Sequence, residues 1–268
     1  MEPFLVSLPV GFLDILVNEL NTPDVVGITL GGSYARGGAT AYSDIDLACF
    51  FQEQATLPQK RYLYRGGYLI SIASLTTAGV RKRLSRLPDA LLMVAGPRII
   101  LFDKDGSVKQ LFQELTLFNP TSLEQQARGY VSFQVAILAE QAHKILSGWL
   151  QNNFLALSYA TTKMLLALTE VMMVHYGVLI KNDSSYYQQV QQAVGRTSSW
   201  TSLHRQAVGT QISMQERAQH VLYLYQETVK ITRPVMQPNH LAIAEQASQI
   251  IDDALPTLRT HTPSDHMQ

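Results

Sequence analysis

The sequence predicts an α+β protein: an N-terminal mixed β-sheet domain followed by an all-α up-down helical bundle. Three observations carry this. Short runs rich in β-branched residues, separated by glycine turns, fill the first part of the chain. Near Asn119-Pro120 the apolar period changes to that of a helix and stays helical to the end. Of 268 residues, 46% are hydrophobic and 16% charged, which supplies core material and excludes disorder of the low-hydrophobicity kind. The change of texture sets the expected boundary, with residues 1–118 as one domain and 119–268 as the other.

In the first part, VVGITL (Val25–Leu30), DIDLACFF (Asp44–Phe51), YLISIASL (Tyr68–Leu75) and RIILF (Arg98–Phe102) read as strands. Asp103-Lys104-Asp105-Gly106 is a turn signal, and VKQLFQELTLF after it reads as a helix. Beyond the boundary, Thr121-Ser122-Leu123-Glu124 has the pattern of a capping box. Val131, Val135, Leu138, Ala142, Ile145 and Trp149 then form an apolar stripe at helical spacing, and Leu157, Thr161, Met164, Leu168 and Val171 form a second. Weaker stripes run through Ala218–Thr232, stopped by Pro234, and Ala244–Ala254, with a shorter helix over Ser184–Gly195. Striped helices with short connections imply an up-down bundle. The tail Thr260–Gln268 is expected to fray.

Charge narrows the function classes. Lys plus Arg is 21 and Asp plus Glu is 21, and the balance holds in each half. Neither half has the bulk charge of a nucleic-acid binder. The single cysteine, Cys49, excludes a disulfide framework and a Cys-rich zinc module. The opening stretch MEPFLVSLPVGFLDILVNEL has no basic segment and carries acids among its apolar residues, unlike a signal peptide. The apolar stretch Met164–Val174 is interrupted by Glu170 and falls short of a membrane span. The expectation is a cytoplasmic protein that does not engage membrane.

Chemistry concentrates in LGGSYARGGATAYSDIDLACFF, Leu30–Phe51. Gly31 and Gly32 let the backbone turn tightly and approach a ligand. Ser33 offers a hydroxyl and an amide where a helix begins, which suits phosphate. On the strand that follows, alternation places Asp44 and Asp46 on one face and Ile45, Leu47 and Cys49 on the other. Two neighbouring carboxylates repel, and a divalent cation such as Mg²⁺, which takes one or two carboxylates plus phosphate oxygens and water, resolves the repulsion.

An apolar strand, Gly-Ser, a gap of about ten residues and then Asp-apolar-Asp resembles the signature of the nucleotidyltransferase superfamily. The order of elements beyond it resembles kanamycin nucleotidyltransferase-like two-domain enzymes. The resemblance implies that Asp44 and Asp46 hold Mg²⁺ on a nucleoside triphosphate, ATP or another, with Gly31, Gly32, Ser33 and Arg36 about its phosphates. It implies a small-molecule acceptor, aminoglycoside-like in that family, and a homodimer. It also implies a general base and a phosphate-holding lysine on the first long bundle helix, where Glu140 and Lys144 stand at i and i+4. The residue pair by itself fits an exposed ion pair equally well. The superfamily's third carboxylate falls at Ser71 here, which leaves a rival reading open: a nucleotide-binding or partner-binding protein of regulator or antitoxin type without turnover.

Arg81, Lys82, Arg83 and Arg86 form a basic run that reads as a solvated helix face. No histidine pair shows metal-ligand spacing.

Overall fold

The computed structural model describes residues 7–209 and 211–260. The tail expected to fray lies, apart from Thr260, outside the described residues, as do residues 1–6 of the opening stretch. Two compact units are present. The first comprises Met1–Asn119 with a return segment, Leu179–Ser185, and the second Pro120–Val178 with Tyr186–Gln268.

In the first unit α1 (Phe12–Leu20) precedes β1 (Val25–Leu30), the one-turn helix α2 (Gly32–Ala35) and β2 (Ile45–Phe51). A hairpin of β3 (Arg61–Arg65) and β4 (Tyr68–Leu75) follows. Then come α3 (Thr77–Leu84), α4 (Asp89–Met93), β5 (Ile99–Asp103) and α5 (Ser107–Thr116). The sheet has the order β3-β4-β2-β1-β5. β2 and β4 run parallel, and every other neighbouring pair is antiparallel. This is the mixed sheet that the alternating apolar runs predict.

Alternation along the strands builds a core on each face of the sheet. Ile28, Leu30, Ile45, Leu47, Cys49, Ile70 and Ile72 pack with Leu16 of α1 on one face. Val26 and Phe50 pack with Val80, Val108, Leu111 and Leu115 of α3 and α5 on the other. Gly27 is fixed by this second layer, because a Cβ there would stand 2.4 Å from Val108 Cγ2. Cys49 is buried, and desolvation pushes its thiol up to about 11, so it behaves as a small hydrophobe.

The second unit is helical: α6 (Glu124–Leu150), α7 (Phe154–His175), α8 (Tyr186–Val194), α9 (Ser199–Val208), α10 (Met214–Thr232) and α11 (Pro238–Thr260). The predicted stripes are its core. Val131, Val135, Leu138, Ala142 and Ile145 of α6 and Leu157, Met164, Leu168 and Val171 of α7 are buried. α6 and α7 approach so closely that a Cβ on Gly148 would lie 3.0 Å from the Leu157 nitrogen. At 22 residues α7 is long and apolar enough to cross a membrane by composition alone, longer than its interrupted sequence pattern suggests, but here its buried face is bundle core. His204 is enclosed by Thr169, Gln191 and Trp200, and burial lowers it to about 4, which keeps it neutral.

The expected capping-box segment Thr121–Glu124 spans the junction of a 3-10 turn and α6. Pro120–Leu123 is a 3-10 turn, α6 begins at Glu124, and Glu124 pairs with Arg128. A capping box forms at Ser213–Glu216, where both reciprocal bonds are made at the start of α10.

Candidate functional site

β1 ends at Leu30, and the chain turns through Gly31 and Gly32 into α2. The Gly31 N–H donates to the Asp46 carbonyl at 2.8 Å, which ties the turn to the start of β2. Gly32 adopts φ of +62°, a conformation open to glycine at little cost. A Cβ at that position would fall 1.9 Å from Asp46 Oδ2. The carboxylate therefore occupies the space that any side chain at Gly32 would need. Tyr34 and Ala35 anchor α2 by packing on the core beneath it.

Asp44 immediately precedes β2 and Asp46 is its second residue. Ile45 and Leu47, between and beyond them, are in the core, so the alternation read from the sequence holds. The Asp46 carboxyl is raised above the usual carboxylate range, chiefly by desolvation and next by the charge of Asp44; Lys60 and Arg36 pull it back. Burial and a neighbouring carboxylate together disfavour the charged form of Asp46, and a bound cation would favour it.

Across the parallel pairing, Asp46 is in register with Ser71, and Ser71 is in register with Tyr62 on the edge strand β3. Tyr62, Ser71 and Asp46 thus form a row on one face at this end of the sheet. The Lys60 ammonium stands 4.8 Å above the Tyr62 ring and is raised by its hydrogen bond to Tyr62, with the carboxylates of Asp46 and Asp44 adding to the shift. A second carboxylate, Asp183 in the return segment, adds negative charge near Asp46. The Ile180 N–H holds that segment by donating to the Leu91 carbonyl at 2.9 Å.

The first unit therefore brings Gly31, Gly32, Ser33, Arg36, Asp44 and Asp46 together and adds Lys60, Tyr62 and Asp183, which the sequence reading did not single out. Strand β3 is short and its run RYLYR has two charged ends, so it gives little strand signal. Asp183 stands before the short helix and reads from the sequence as a cap, not as a site residue. Glu140 and Lys144 belong to α6 of the helical unit, where they form an ion pair at 2.5 Å with both side chains more than half exposed. Hydrogen bonding to Lys144 holds the Glu140 carboxyl below its usual value, so it is ionised at neutral pH.

Glu53 and Asp103 of the first unit are engaged away from this site. Glu53 accepts from the Thr77 hydroxyl and the Ala78 N–H, and Asp103 accepts from the N–H groups of Gly106 and Lys109, so each caps a helix start. In the basic run, Arg81 pairs with Glu114 and Arg83 with Asp89 on an exposed face.

Among the described residues, no group of three or more His, Cys, Asp or Glu side chains could enclose a metal ion. Two carboxylates beside a glycine turn fit a divalent cation of another kind, one that arrives with phosphate oxygens and keeps several waters. The donor set suits a metal–triphosphate complex, whose cation Asp44 and Asp46 would hold.

No curated protein matches this chain. A crystal structure of a nucleotidyltransferase-like protein from Exiguobacterium sibiricum 255-15 is similar over 96% of this chain and 94% of that one, at 13% identity and a TM-score of 0.47. A likeness this loose does not bear on what the chain does. Residues 13–88 match the family model of the nucleotidyltransferase domain; this stretch includes the glycine turn, both aspartates, Lys60 and Ser71, and the N-terminal unit carries a nucleotidyltransferase domain.

Proposed function

We propose that the chain transfers a nucleoside monophosphate from ATP to a hydroxyl of a small-molecule acceptor, releasing pyrophosphate. One observation supports this most: the Asp46 carboxylate lies against Gly32 where no side chain fits, beside Asp44. A surface turn has no need of that arrangement, which costs repulsion and desolvation in the free protein. Asp44 and Asp46 would hold Mg²⁺, which when bound neutralises phosphate charge. Ser33, at the turn, would donate to the phosphate tail, and Arg36 and Lys60 would supply positive charge beside it.

Glu140, ionised and exposed, would accept the proton of the attacking hydroxyl, and Lys144 would balance charge on the α-phosphate. These roles rest on the resemblance of α6 to the base-bearing helix of kanamycin nucleotidyltransferase-like enzymes, as does a homodimer built through the helical unit. Sedimentation showing a monomer at all accessible concentrations would remove the dimer.

A second reading, a nucleotide-binding protein without turnover, is favoured by neutral Ser71 in register with Asp46. Pyrophosphate release from Mg-ATP, assayed with a panel of hydroxyl-bearing acceptors, decides between them. Acceptor-dependent release supports transfer. Tight ATP binding with no release from any acceptor supports the second reading.

A further inference from the structure

On the same face of the sheet as Asp46, a cleft of about 550 Å³ opens on the far side of β1. Its walls are largely apolar, including Val94, Pro97, Phe112, Leu115 and Leu179. The volume is in the range of small-molecule sites. Arg98 is its charged member. Leu30, just before the glycine turn, pairs with Ile99, just after Arg98. Arg98 therefore stands at the same sheet end as Asp46, two strands over, about 10 Å away by strand spacing. The alternation that places Ala48 and Ile100 against one core layer places Asp46 and Arg98 on that layer's side.

The guanidinium has five N–H donors. Among the described residues, its recorded partners are the Met93 carbonyl, to which it donates at 2.6 Å, and the Phe112 ring, 5.8 Å from its centre. No carboxylate pairs with it among the described residues, whereas Arg65, Arg81, Arg83, Arg128 and Arg233 all have one. Burial without a counterion disfavours the charged form. A guanidinium held by a ring and one carbonyl at the rim of an apolar cleft presents a fork suited to a planar anion.

We infer that this cleft is the acceptor subsite of the nucleotidyltransferase unit and takes a small molecule with an apolar body, the hydroxyl that receives the nucleoside monophosphate, and a carboxylate held by Arg98. The assignment to an acceptor rests on the proposed transfer reaction; the anion cleft itself does not. It departs from the aminoglycoside-like acceptor of the resembling enzymes, since a polycation would meet the guanidinium with like charge.

Calorimetric titration of octanoate, beside its uncharged analogue octanamide, tests the cleft without nucleotide or metal. The expected result is saturable octanoate binding to the wild type, at least tenfold weaker binding of octanamide, and an equal loss for octanoate in Arg98→Met, with Arg98→Lys intermediate. Mg-ATP affinity should be unchanged by octanoate or by Arg98→Met. Equal binding of octanoate and octanamide overturns the proposal on the wild type alone, whatever the variants' folding. Competition between octanoate and ATP, with weaker ATP binding in Arg98→Met, overturns the acceptor assignment and makes Arg98 a nucleotide contact. If Mg-ATP does not bind the wild type while octanoate binding depends on Arg98, the transfer reading fails and the anion cleft stands.

Discussion

Asp46 and Ser71 stand side by side across the parallel pairing of β2 and β4, on one face of the sheet, with Ser71 almost wholly buried. A carboxylate introduced at Ser71 would therefore point at whatever cation Asp46 holds. The same burial makes it costly when no cation is there. The absence of a charge at this position is the feature that favours the binding reading over the transfer reading.

Ser71→Asp is expected to raise Mg²⁺ affinity by about tenfold and to destabilise the metal-free protein by about 1–3 kcal/mol, with the loss reversed by Mg²⁺. Calorimetry with MgCl₂ and melting curves with and without chelator measure both. Unchanged Mg²⁺ affinity in a folded variant would show that the row from Asp46 to Ser71 does not face a metal.

Asp46→Asn is expected to stabilise the free protein at neutral pH. The native carboxyl is raised by desolvation and by Asp44, so the folded state holds the charged form at a cost that the unfolded chain does not bear. That cost is full above the raised native value. It fades as pH falls through that value, where the native protein takes up its proton first, and it is absent below the unfolded value of about 4. A higher Tm than the wild type is expected at pH 7 and an equal one near pH 3. A Tm at pH 7 equal to or below that of the wild type would contradict the strained carboxylate pair.

Glu140→Gln is expected to lower acceptor-dependent pyrophosphate release by roughly 10²–10⁴-fold while ATP affinity holds, since a general base acts in the transition state. An exposed Glu–Lys pair with a merely structural role contributes a few tenths of a kcal/mol, and its loss would leave turnover untouched. Rates that match the wild type would reduce Glu140 to that surface role.

The fold was legible where the local pattern and the tertiary structure agree. Val25–Leu30 and Tyr68–Leu75 are β-branched runs bounded by turns, and they are strands β1 and β4 at those bounds. The aspartate strand was legible because burial of Ile45 and Leu47 forces Asp44 and Asp46 to the opposite side. Strand β3 was not, because an edge strand buries little and RYLYR is largely exposed; Lys60 and Tyr62 were missed with it. The return of Leu179–Ser185 to the first unit was also illegible, since it depends on contacts such as Ile180 with Leu91 that lie far apart in sequence. At Thr121 the sequence pattern does not show the 3-10 turn of Pro120–Leu123 that precedes the helix. Ser213 adopts the extended backbone a cap requires, though the sequence reading placed no box there.

The central claim is that Asp44 and Asp46 bind nucleotide through a divalent cation. Calorimetric titration of ATP into the wild type, Asp44→Asn and Asp46→Asn, each with Mg²⁺ and with chelator, tests it most directly. The account predicts measurable affinity for the wild type with Mg²⁺, and at least a tenfold loss on removing either the metal or one carboxylate. Equal ATP affinity in all six titrations would contradict it.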